Sequence, residues 1–425
     1  MKTSELYKLY LKHPSVKTDT RKIEKGDIFF ALKGPNFNGN TFAAQALKSG
    51  AAYAVIDEPE FAVNDKTILV EDALSALQEL AKHHRLEFDI PFIAITGSNG
   101  KTTSKELVHV VLSSRFKTYT TEGNLNNQIG IPLTILAIKK DAEIAVIEMG
   151  ANHLKEIQSY CRYTAPTHAV ITNCGKAHLE GFGSEEGVRK AKGELFDHIR
   201  ERGGTAFVMW DYDYLRDMSK GIRSVIKYGT SNADIIGDVL QSDPYLAVTI
   251  TKGAELPSIE TRLVGDYNLP NVLLAVTVGK YFNVPESDIK NSIESYIPSN
   301  SRSQLISKDS NKIILDAYNA NPTSMKLAIE NFSKLHADKK VLILGGMAEL
   351  GEDSLKEHQA LIEHIDDFEW DDVILVGGDF INLNHPFRSF AHTGEAKAWF
   401  KNQHFMNTHF LIKGSRSMQM ESILF

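Results

Sequence analysis

The segment Phe92-Ile-Ala-Ile-Thr-Gly-Ser-Asn-Gly-Lys-Thr-Thr103 decides the fold of the central part of the chain. Phe92 to Ile95 is a short apolar run that predicts a buried strand, and a helical pattern follows from Thr102 to Ser114. The two glycines between them let the backbone turn tightly and direct its N–H groups at phosphate oxygens, beside the positive end of the helix. Lys101 can then reach the β- and γ-phosphates of a nucleotide, and the Thr102 hydroxyl can bind magnesium.

This loop differs from the standard Walker A motif, which would have glycine at position 95, where the chain has Ile95. A similar pattern can also arise in a glycine turn that binds nothing. The order of strand, loop and helix favours a phosphate loop. We therefore predict that nucleotide binding involves Gly97, Ser98, Asn99, Gly100, Lys101, Thr102 and Thr103.

The apolar segments around this loop predict three α/β domains. Residues 88–297 alternate strands with helices, as in a doubly wound, mostly parallel sheet, with short antiparallel strands at one edge over residues 235–263. Residues 1–87 predict a small α/β domain. Residues 298–425 begin a second series of strands, which predicts a Rossmann-like domain. The predicted hinge before this domain is Pro298-Ser-Asn-Ser301.

Composition narrows the class of protein. The chain has 425 residues, of which 42% are hydrophobic and 24% charged, as expected for a globular protein of several domains. A net charge of −7 argues against general nucleic-acid or membrane-surface binding. Two cysteines make no disulfide framework, and neither a secretory signal nor a membrane-spanning apolar run is present in the sequence. We therefore expect a cytoplasmic protein without membrane insertion.

Three side chains outside the loop are candidates for metal binding. Glu148 ends the apolar strand 145–147, so its carboxylate should face the crevice at the carboxyl edge of the sheet, where it can bind a hard cation. His178 follows another strand, but a lone histidine is more often a hydrogen-bonded loop residue. Lys192 lies in an amphipathic helix, and from its spacing alone it is an ordinary solvated lysine.

Two asparagines open a later helix. Asn268 can cap the helix, and this is the simpler interpretation of its position. Asn271 lies three residues further on and shares a helix face with it, so the two amides could together contact the edge of a nucleotide base.

Several motifs together resemble the Mur ligase family. They are the loop at 96–103, Gly123-Asn-Leu-Asn-Asn-Gln-Ile-Gly-Ile-Pro-Leu133, Glu148-Met-Gly150, Asp316-Ala-Tyr-Asn-Ala-Asn-Pro322, Gly346-Met-Ala-Glu-Leu-Gly351 and Lys413-Gly-Ser-Arg416. The N-terminal segments Asp19-Thr-Arg21, Gly26-Asp-Ile-Phe-Phe-Ala31 and Asn38-Gly-Asn40 also match, so the resemblance covers essentially the whole chain.

The resemblance implies an ATP-dependent peptide ligase of peptidoglycan precursor synthesis, acting as a monomer. Its most specific motifs imply that the substrates are UDP-N-acetylmuramoyl-tripeptide and D-alanyl-D-alanine, joined through an acyl phosphate. The catalytic residues implied are Lys101, Lys192 and Arg302. Two Mg²⁺ ions are implied, with Thr102, Glu148, His178 and Lys192 as ligands. Lys192 matches a lysine that is carbamoylated by CO₂ and so presents a carboxylate to the metal.

The other implied positions divide by ligand. Asn271 would contact adenine, and Arg302 and Asp316 would reach the nucleotide from the third domain when that domain closes. The positions implied for the sugar nucleotide are Thr20, Arg21, Asn126 and Asn127. Those implied for the dipeptide and acyl acceptor end are Tyr318, Asn319, Asn321, Lys413 and Arg416. The chain departs from the family pattern at Tyr267, Ser301 and Met347, and none of these removes a group that the chemistry requires.

Three alternative functions remain open from the sequence. A sibling ligase, including a folate-type enzyme, would use a different amine, and the segment 318–321 argues against it. A small-metabolite kinase would not need Glu148, His178 and Lys192 together. A non-catalytic sugar-nucleotide-binding homologue would tend to lose these groups. The general base for the amine is not identified by the sequence, since His358 is equally explained as a surface helix residue.

Overall fold

The computed structural model describes residues 1–299 and 301–424, and the predicted α/β class with three domains is confirmed. The predicted hinge includes Asn300, which lies outside the described residues. Within the described ranges no helix is both long and apolar enough to cross a bilayer.

The N-terminal domain is built on a parallel four-stranded sheet with the order β1-β2-β5-β6, beside a two-stranded hairpin of β3 and β4. Its strands are β1 Val16–Lys17, β2 Ile28–Phe30, β3 Lys33–Gly34, β4 Phe37–Asn38, β5 Tyr53–Ile56 and β6 Thr67–Leu69. Its α-helices are α1 Thr3–Lys12, α2 Ala43–Lys48 and α3 Ala73–Arg85.

The middle domain has a nine-stranded sheet with the order β15-β14-β13-β12-β11-β10-β7-β9-β8. Its strands are β7 Phe92–Thr96, β8 Thr118–Thr120, β9 Ile144–Glu148, β10 His168–Ile171, β11 Thr205–Met209, β12 Ser224–Gly229, β13 Ile235–Gln241, β14 Ala247–Lys252 and β15 Ile259–Glu260. Its α-helices are α4 Lys101–Ser113, α5 Gly130–Leu136, α6 Glu156–Thr164, α7 Leu179–Phe182, α8 Glu185–Arg202, α9 Asp213–Met218, α10 Leu269–Tyr281 and α11 Glu286–Ser295. The strands β13 to β15 pair antiparallel at one edge, which confirms that prediction.

The position of β7 explains where a ligand can bind. This strand lies between β9 and β10 and is parallel to both, so the strand order reverses at its carboxyl end. Ile95 pairs with Glu148 on one side, and Thr96 pairs with Ile171 on the other. A crevice opens at such a reversal, because the connections on the two sides of the central strand lead away from each other.

The C-terminal domain has a six-stranded sheet with the order β16-β17-β21-β18-β19-β20, parallel except for β16. Its strands are β16 Gln304–Lys308, β17 Asn311–Asp316, β18 Lys339–Gly345, β19 Asp372–Val376, β20 Arg388–Phe390 and β21 Thr408–Lys413. Its α-helices are α12 Pro322–Lys334, α13 Ser354–Asp366 and α14 Thr393–Lys401. The loops after β17, β18 and β21 therefore emerge side by side.

The two domain junctions differ in character. The N-terminal and middle domains share one apolar core, and Arg85 of α3 donates hydrogen bonds to the carbonyls of Thr164 and Ala165 at 2.9 and 3.0 Å. The described contacts between the middle and C-terminal domains are mainly polar, although Leu179 and Val264 pack into the C-terminal core. The second junction can consequently open at a smaller cost in apolar burial.

Candidate active site

A cleft of about 810 Å³ lies between the middle and C-terminal domains. The middle domain contributes the phosphate loop and the carboxyl ends of β9 and β10, and the C-terminal domain contributes the loops after β17, β18 and β21. Most of the residues predicted for the site line this cleft: 98–103, Asn126, Asn127, Glu148, His178, Asn271, Arg302, Asp316, Tyr318, Asn319, Asn321 and Lys413.

The phosphate loop is held by two glycines. Gly97 has φ +146°, and a Cβ atom there would overlap the Thr172 hydroxyl oxygen. Gly100 has φ +77°, and a Cβ atom there would lie 2.8 Å from the Asn271 side-chain oxygen. The Lys101 ammonium donates hydrogen bonds to the carbonyls of Gly97 and Ser98 at 2.7 and 3.1 Å. Desolvation lowers the pKa of Lys101, and the Glu148 carboxylate partly opposes this effect.

Thr102 and Glu148 form a small group of oxygen atoms at the start of α4. The Thr102 hydroxyl donates to Glu148 Oε2 at 2.9 Å, and the Asn126 amide donates to Glu148 Oε1 at 2.8 Å. Among the described residues there is no group of three or more His, Cys, Asp or Glu side chains that could hold a metal unaided. The donors present fit Mg²⁺, which typically takes one or two protein oxygens and completes its shell with phosphates and water.

His178 lies on the same cleft but faces the C-terminal domain. Its Nδ1 atom is 2.6 Å from the Glu349 carboxylate, which belongs to the loop after β18. The backbone of His178 has φ +51°, a left-handed conformation that is uncommon for a residue with a side chain. The histidine is thus held at the domain junction through its Nδ1 side, while it still lines the cleft that Glu148 also lines.

Lys192 is fully buried, so the solvated lysine expected from its helix position is wrong. Its side chain is 1% exposed, and its ammonium donates to the Ala151 carbonyl at 3.2 Å and lies 5.1 Å from the centre of the Phe182 ring. Desolvation, with a further contribution from the positive charge of Lys101, lowers the pKa of Lys192 to about 7. Much of this amine is therefore neutral near pH 7, and the neutral amine is the form that reacts with CO₂.

Asn268 directly precedes α10, and Asn271 lies in its first turn. Asn268 occupies the N-cap position, but its side chain does not cap the helix, which corrects the simpler interpretation. The Asn271 amide donates to Asn268 Oδ1 at 2.8 Å, while its own oxygen accepts from the Ser104 hydroxyl at 2.8 Å. Both amides line the cleft directly behind the phosphate loop.

The C-terminal wall of the cleft carries both signs of charge. Asp316 accepts hydrogen bonds from the Lys413 ammonium at 2.5 Å and from the Ser303 N–H at 3.1 Å. The Arg302 guanidinium lies 3.5 Å from the centre of the Tyr318 ring, a stacking contact that fixes its plane. A nucleotide phosphate and a zwitterionic peptide could both find counter-charges here.

Comparison with known proteins identifies the family. Residues 14–85 match a model described as Mur ligase family, catalytic domain, residues 95–279 match the Mur ligase middle domain, and residues 301–405 match the Mur ligase glutamate ligase domain. A UDP-N-acetylmuramoyl-tripeptide–D-alanyl-D-alanine ligase from Escherichia coli is 33% identical over 96% of this chain and 92% of the relative. The chain belongs to the Mur ligase family.

Other Mur ligases agree with this assignment. The Bacillus subtilis enzyme of the same name is 40% identical over 79% of this chain and 74% of its own length. A crystal structure of MurF from Acinetobacter baumannii has a TM-score of 0.86 and 31% identity, covering 96% of this chain and 92% of that chain. MurF from Thermotoga maritima, in complex with ADP, has a TM-score of 0.84 and 27% identity, covering 97% of both chains.

Some positions implied by the Mur ligase resemblance lie apart from the cleft lining. Thr20 and Arg21 form a turn of the N-terminal domain, where the Arg21 side chain is 86% exposed and pairs with Asp19 at 2.8 Å. Arg416 is also largely exposed, with its guanidinium 5.7 Å from the Tyr318 ring centre.

Two predicted residues have structural roles that the sequence did not indicate. Asn127 accepts from the N–H groups of Ile129 and Gly130 at the start of α5. His358 is fully buried and accepts a hydrogen bond from the Met347 N–H at 3.0 Å, so it is neither a surface residue nor a general base in the cleft.

The groups that join the middle and C-terminal domains of this Mur ligase were not evident from the sequence. Glu349 lies inside a motif that was recognised, but nothing in the motif indicated that its carboxylate would reach His178. Lys176 likewise pairs with Glu357 across the junction at 2.6 Å. Such pairs depend on how two domains are placed, which a local pattern does not encode.

Proposed function

We propose that this Mur ligase uses ATP to add D-alanyl-D-alanine to UDP-N-acetylmuramoyl-tripeptide in peptidoglycan precursor synthesis. The observation that carries the proposal is the cleft in which a phosphate loop faces the Tyr318–Asn321 segment of another domain. Relatives named for this reaction align over nearly the whole chain, and ADP is bound in the Thermotoga maritima structure. We place the reaction in the cytoplasm because it depends on ATP.

The first step makes the carboxylate reactive. A carboxylate oxygen of the tripeptide attacks the γ-phosphorus of ATP, ADP leaves, and an acyl phosphate forms. Positioning and neutralisation of charge supply most of the catalysis in such a transfer. The backbone N–H groups of the phosphate loop and the Lys101 ammonium would hold the phosphates, and the Arg302 guanidinium would approach from the C-terminal domain.

Magnesium fits the oxygen donors of this site. Thr102 would hold an ion bound to the nucleotide, and Glu148, His178 and Lys192 are proposed for a second ion. When bound, Mg²⁺ would neutralise phosphate charge during the transfer. A carbamate on Lys192 would provide an anionic oxygen ligand, and the depressed pKa of this buried amine supports its reaction with CO₂.

The second step forms the peptide bond. The neutral amine of D-alanyl-D-alanine attacks the acyl carbon, giving a tetrahedral oxyanion that collapses with loss of phosphate. The amine nitrogen loses one proton, and the phosphate retains the oxygen that came from the carboxylate. Tyr318, Asn319, Asn321, Lys413 and Arg416 are proposed to hold the dipeptide. Closure of the cleft would keep the acyl phosphate from water.

The sugar nucleotide is assigned to residues of the N-terminal and middle domains. We propose that Thr20 and Arg21 contact its uridine end and that Asn126 and Asn127 lie near its sugar or phosphate. Arg21 is held by Asp19 yet remains 86% exposed, so a ligand can reach it, which supports this assignment.

The test is phosphate release from ATP in the presence of UDP-N-acetylmuramoyl-tripeptide, with and without D-alanyl-D-alanine. We expect sustained phosphate release only when both substrates are present. The product should be heavier than UDP-N-acetylmuramoyl-tripeptide by the mass of D-alanyl-D-alanine less one water. Equal release with a single amino acid in place of the dipeptide would instead indicate a sibling ligase. Absence of release with either amine would contradict the proposed activity.

A further inference from the structure

The contact between His178 and Glu349 joins two unusual residues. Each has a left-handed backbone, with φ +51° at His178 and φ +64° at Glu349, although neither is glycine. They face each other across the junction of the middle and C-terminal domains, with Nδ1 and Oε2 2.6 Å apart. Such backbone conformations are unfavourable for residues that carry a side chain, and they cluster at sites where they serve function.

The backbone on both sides of the contact is docked as well. The N–H of Glu180 donates to the Glu349 carbonyl at 3.2 Å. Gly351 approaches so closely that a Cβ atom there would lie 3.3 Å from Glu180 Cα. The segments 178–180 and 349–351 therefore form a defined junction, in which the relative position of the two side chains is set by the main chain.

We propose that Glu349 is a positioning residue that holds the His178 ring through Nδ1 and leaves Nε2 free to bind the cation of the cleft. This inference rests on the proposed function, because the cation is that of the ATP reaction. Histidines that bind metals usually donate their other ring N–H to a carboxylate or carbonyl, which fixes the tautomer and the ring orientation. Nδ1 of His178 is buried, and Glu349 is the acceptor placed beside it.

The pair is less well explained as a stabilising ion pair. The Glu349 side chain is 46% exposed, and exposed pairs contribute little to stability. The two atoms are close enough for a hydrogen bond, but the angles of one are not met in this structure. The contact is therefore better explained by a role in orienting the ring than by its own contribution to stability.

The proposed contact makes the cation site depend on domain closure. Glu349 belongs to the C-terminal domain, whereas His178, Glu148 and Thr102 belong to the middle domain. The histidine is therefore oriented only when the C-terminal domain is closed. Closure of the C-terminal domain would complete the cation site and enclose the dipeptide in the same movement. Cation binding is thereby coupled to the arrangement of the domains.

The experiment measures Mn²⁺ binding by electron paramagnetic resonance in the full-length protein, with a non-hydrolysable ATP analogue present. We expect Glu349→Ala to weaken Mn²⁺ binding about 10–100-fold, as is typical when the partner of a metal-binding histidine is removed. Glu349→Gln should retain most of the affinity, since its amide oxygen can still accept from Nδ1. Glu352→Ala is the control, because Glu352 is exposed on the same loop and has no role in the site.

Three outcomes would overturn the proposal. Unchanged Mn²⁺ affinity in Glu349→Ala would contradict the positioning role of Glu349, but it would not contradict the proposed ligase activity. An equal loss in Glu349→Gln and Glu349→Ala, accompanied by a higher KM for the dipeptide, would assign the carboxylate to the substrate ammonium. Failure of the unmodified protein to bind Mn²⁺ with the nucleotide analogue would contradict the cation site itself, and with it the proposed metal chemistry.

Discussion

At the scale of single residues, burial decides the chemistry of Lys192. The helix that carries it has acidic and basic residues on its exposed face, yet Lys192 points inward, where desolvation depresses its pKa. An exposed lysine would be almost entirely protonated at neutral pH and would react poorly with CO₂. The protein thus creates a reactive amine by excluding water from one position.

The proposed carbamate on Lys192 can be detected directly. With ¹³C-labelled bicarbonate we expect one carbamate signal in the ¹³C NMR spectrum of the protein, absent in Lys192→Ala. That variant should also release phosphate about 10²–10³-fold more slowly, as when one stabilising group of a transition state is removed. Lys190→Ala is the control, since Lys190 is exposed on the same helix. A carbamate signal that persists in Lys192→Ala would assign the modification elsewhere.

His168 should make stability depend on pH. Burial lowers the pKa of His168 to about 4, below the value of about 6.5 expected in the unfolded chain. Between these two pH values the unfolded chain binds a proton at this histidine and the folded protein does not. The free energy of unfolding therefore has its full contribution from His168 above pH 6.5 and loses it as the pH falls towards 4. The difference corresponds to roughly 3 kcal/mol of unfolding free energy.

Urea unfolding at pH 7 and pH 4.5 tests this expectation. The urea concentration at the unfolding midpoint should be lower at pH 4.5 than at pH 7. This decrease should be smaller in His168→Phe, which keeps an aromatic ring beside Phe207 and Tyr281. The same fall in both proteins would show that His168 does not carry the pH dependence.

At the scale of elements, the phosphate loop depends on the approach of one strand end to another. A methyl group at Gly97 would overlap the Thr172 hydroxyl at the end of β10, so the loop could not keep its position. We expect Gly97→Ala to lower ATP affinity at least tenfold, measured by calorimetry. Gly203→Ala is the matched control: Gly203 also has a positive φ, but a Cβ atom there meets nothing within 4 Å. Equal effects of the two substitutions would attribute the loss to backbone strain alone.

Elements with a strong local signal could be predicted from the sequence. The buried strand β7, its loop and helix α4 follow from an apolar run, two glycines and a helical pattern, and the parallel sheet follows from the alternation of strands and helices. Helix α1 and the strands β11 and β12 were not predicted. The two strands are defined by their neighbours in the folded sheet, and α1 is defined by its packing against α3, rather than by a distinctive local pattern.

Site residues divide in the same way. Glu148 could be placed because a residue at the carboxyl end of a parallel strand must face the crevice. The burial of Lys192 could not be predicted, because the local sequence does not show how the helix packs and therefore which of its lysines faces the interior. The partners of His178 and Lys176 come from another domain, and their sequence separation gives no local signal.

At the scale of the whole molecule, the C-terminal domain is held against the middle domain largely by polar contacts. Lys176 and Glu357 pair at 2.6 Å, and the Asn321 amide donates to Asn99 Oδ1 of the phosphate loop at 2.7 Å. Asn99 belongs to the loop that we propose binds the nucleotide, so we expect a change in that loop to reach the C-terminal domain through this contact. We therefore expect nucleotide binding to affect domain closure.

Reversing the charge of Lys176 should open the cleft between the middle and C-terminal domains. Lys176→Glu would place a second carboxylate beside Glu357, which is 5% exposed, and like charges in such an interface cost several kcal/mol. We expect at least a tenfold lower ratio of closed to open protein, seen as a larger radius of gyration by X-ray scattering. The double variant Lys176→Glu/Glu357→Lys should restore closure in part, and Lys190→Glu should have no effect. An unchanged radius in Lys176→Glu would contradict a role of this pair in closure.

The central claim is that one oxygen of the tripeptide carboxylate passes to phosphate through an acyl phosphate. The most direct measurement uses UDP-N-acetylmuramoyl-tripeptide labelled with ¹⁸O in its terminal carboxylate, together with ATP and D-alanyl-D-alanine, followed by mass analysis of the phosphate released. We expect one ¹⁸O atom in each phosphate molecule and as much labelled phosphate as peptide product. Phosphate without label, formed alongside the product, would contradict the acyl-phosphate mechanism.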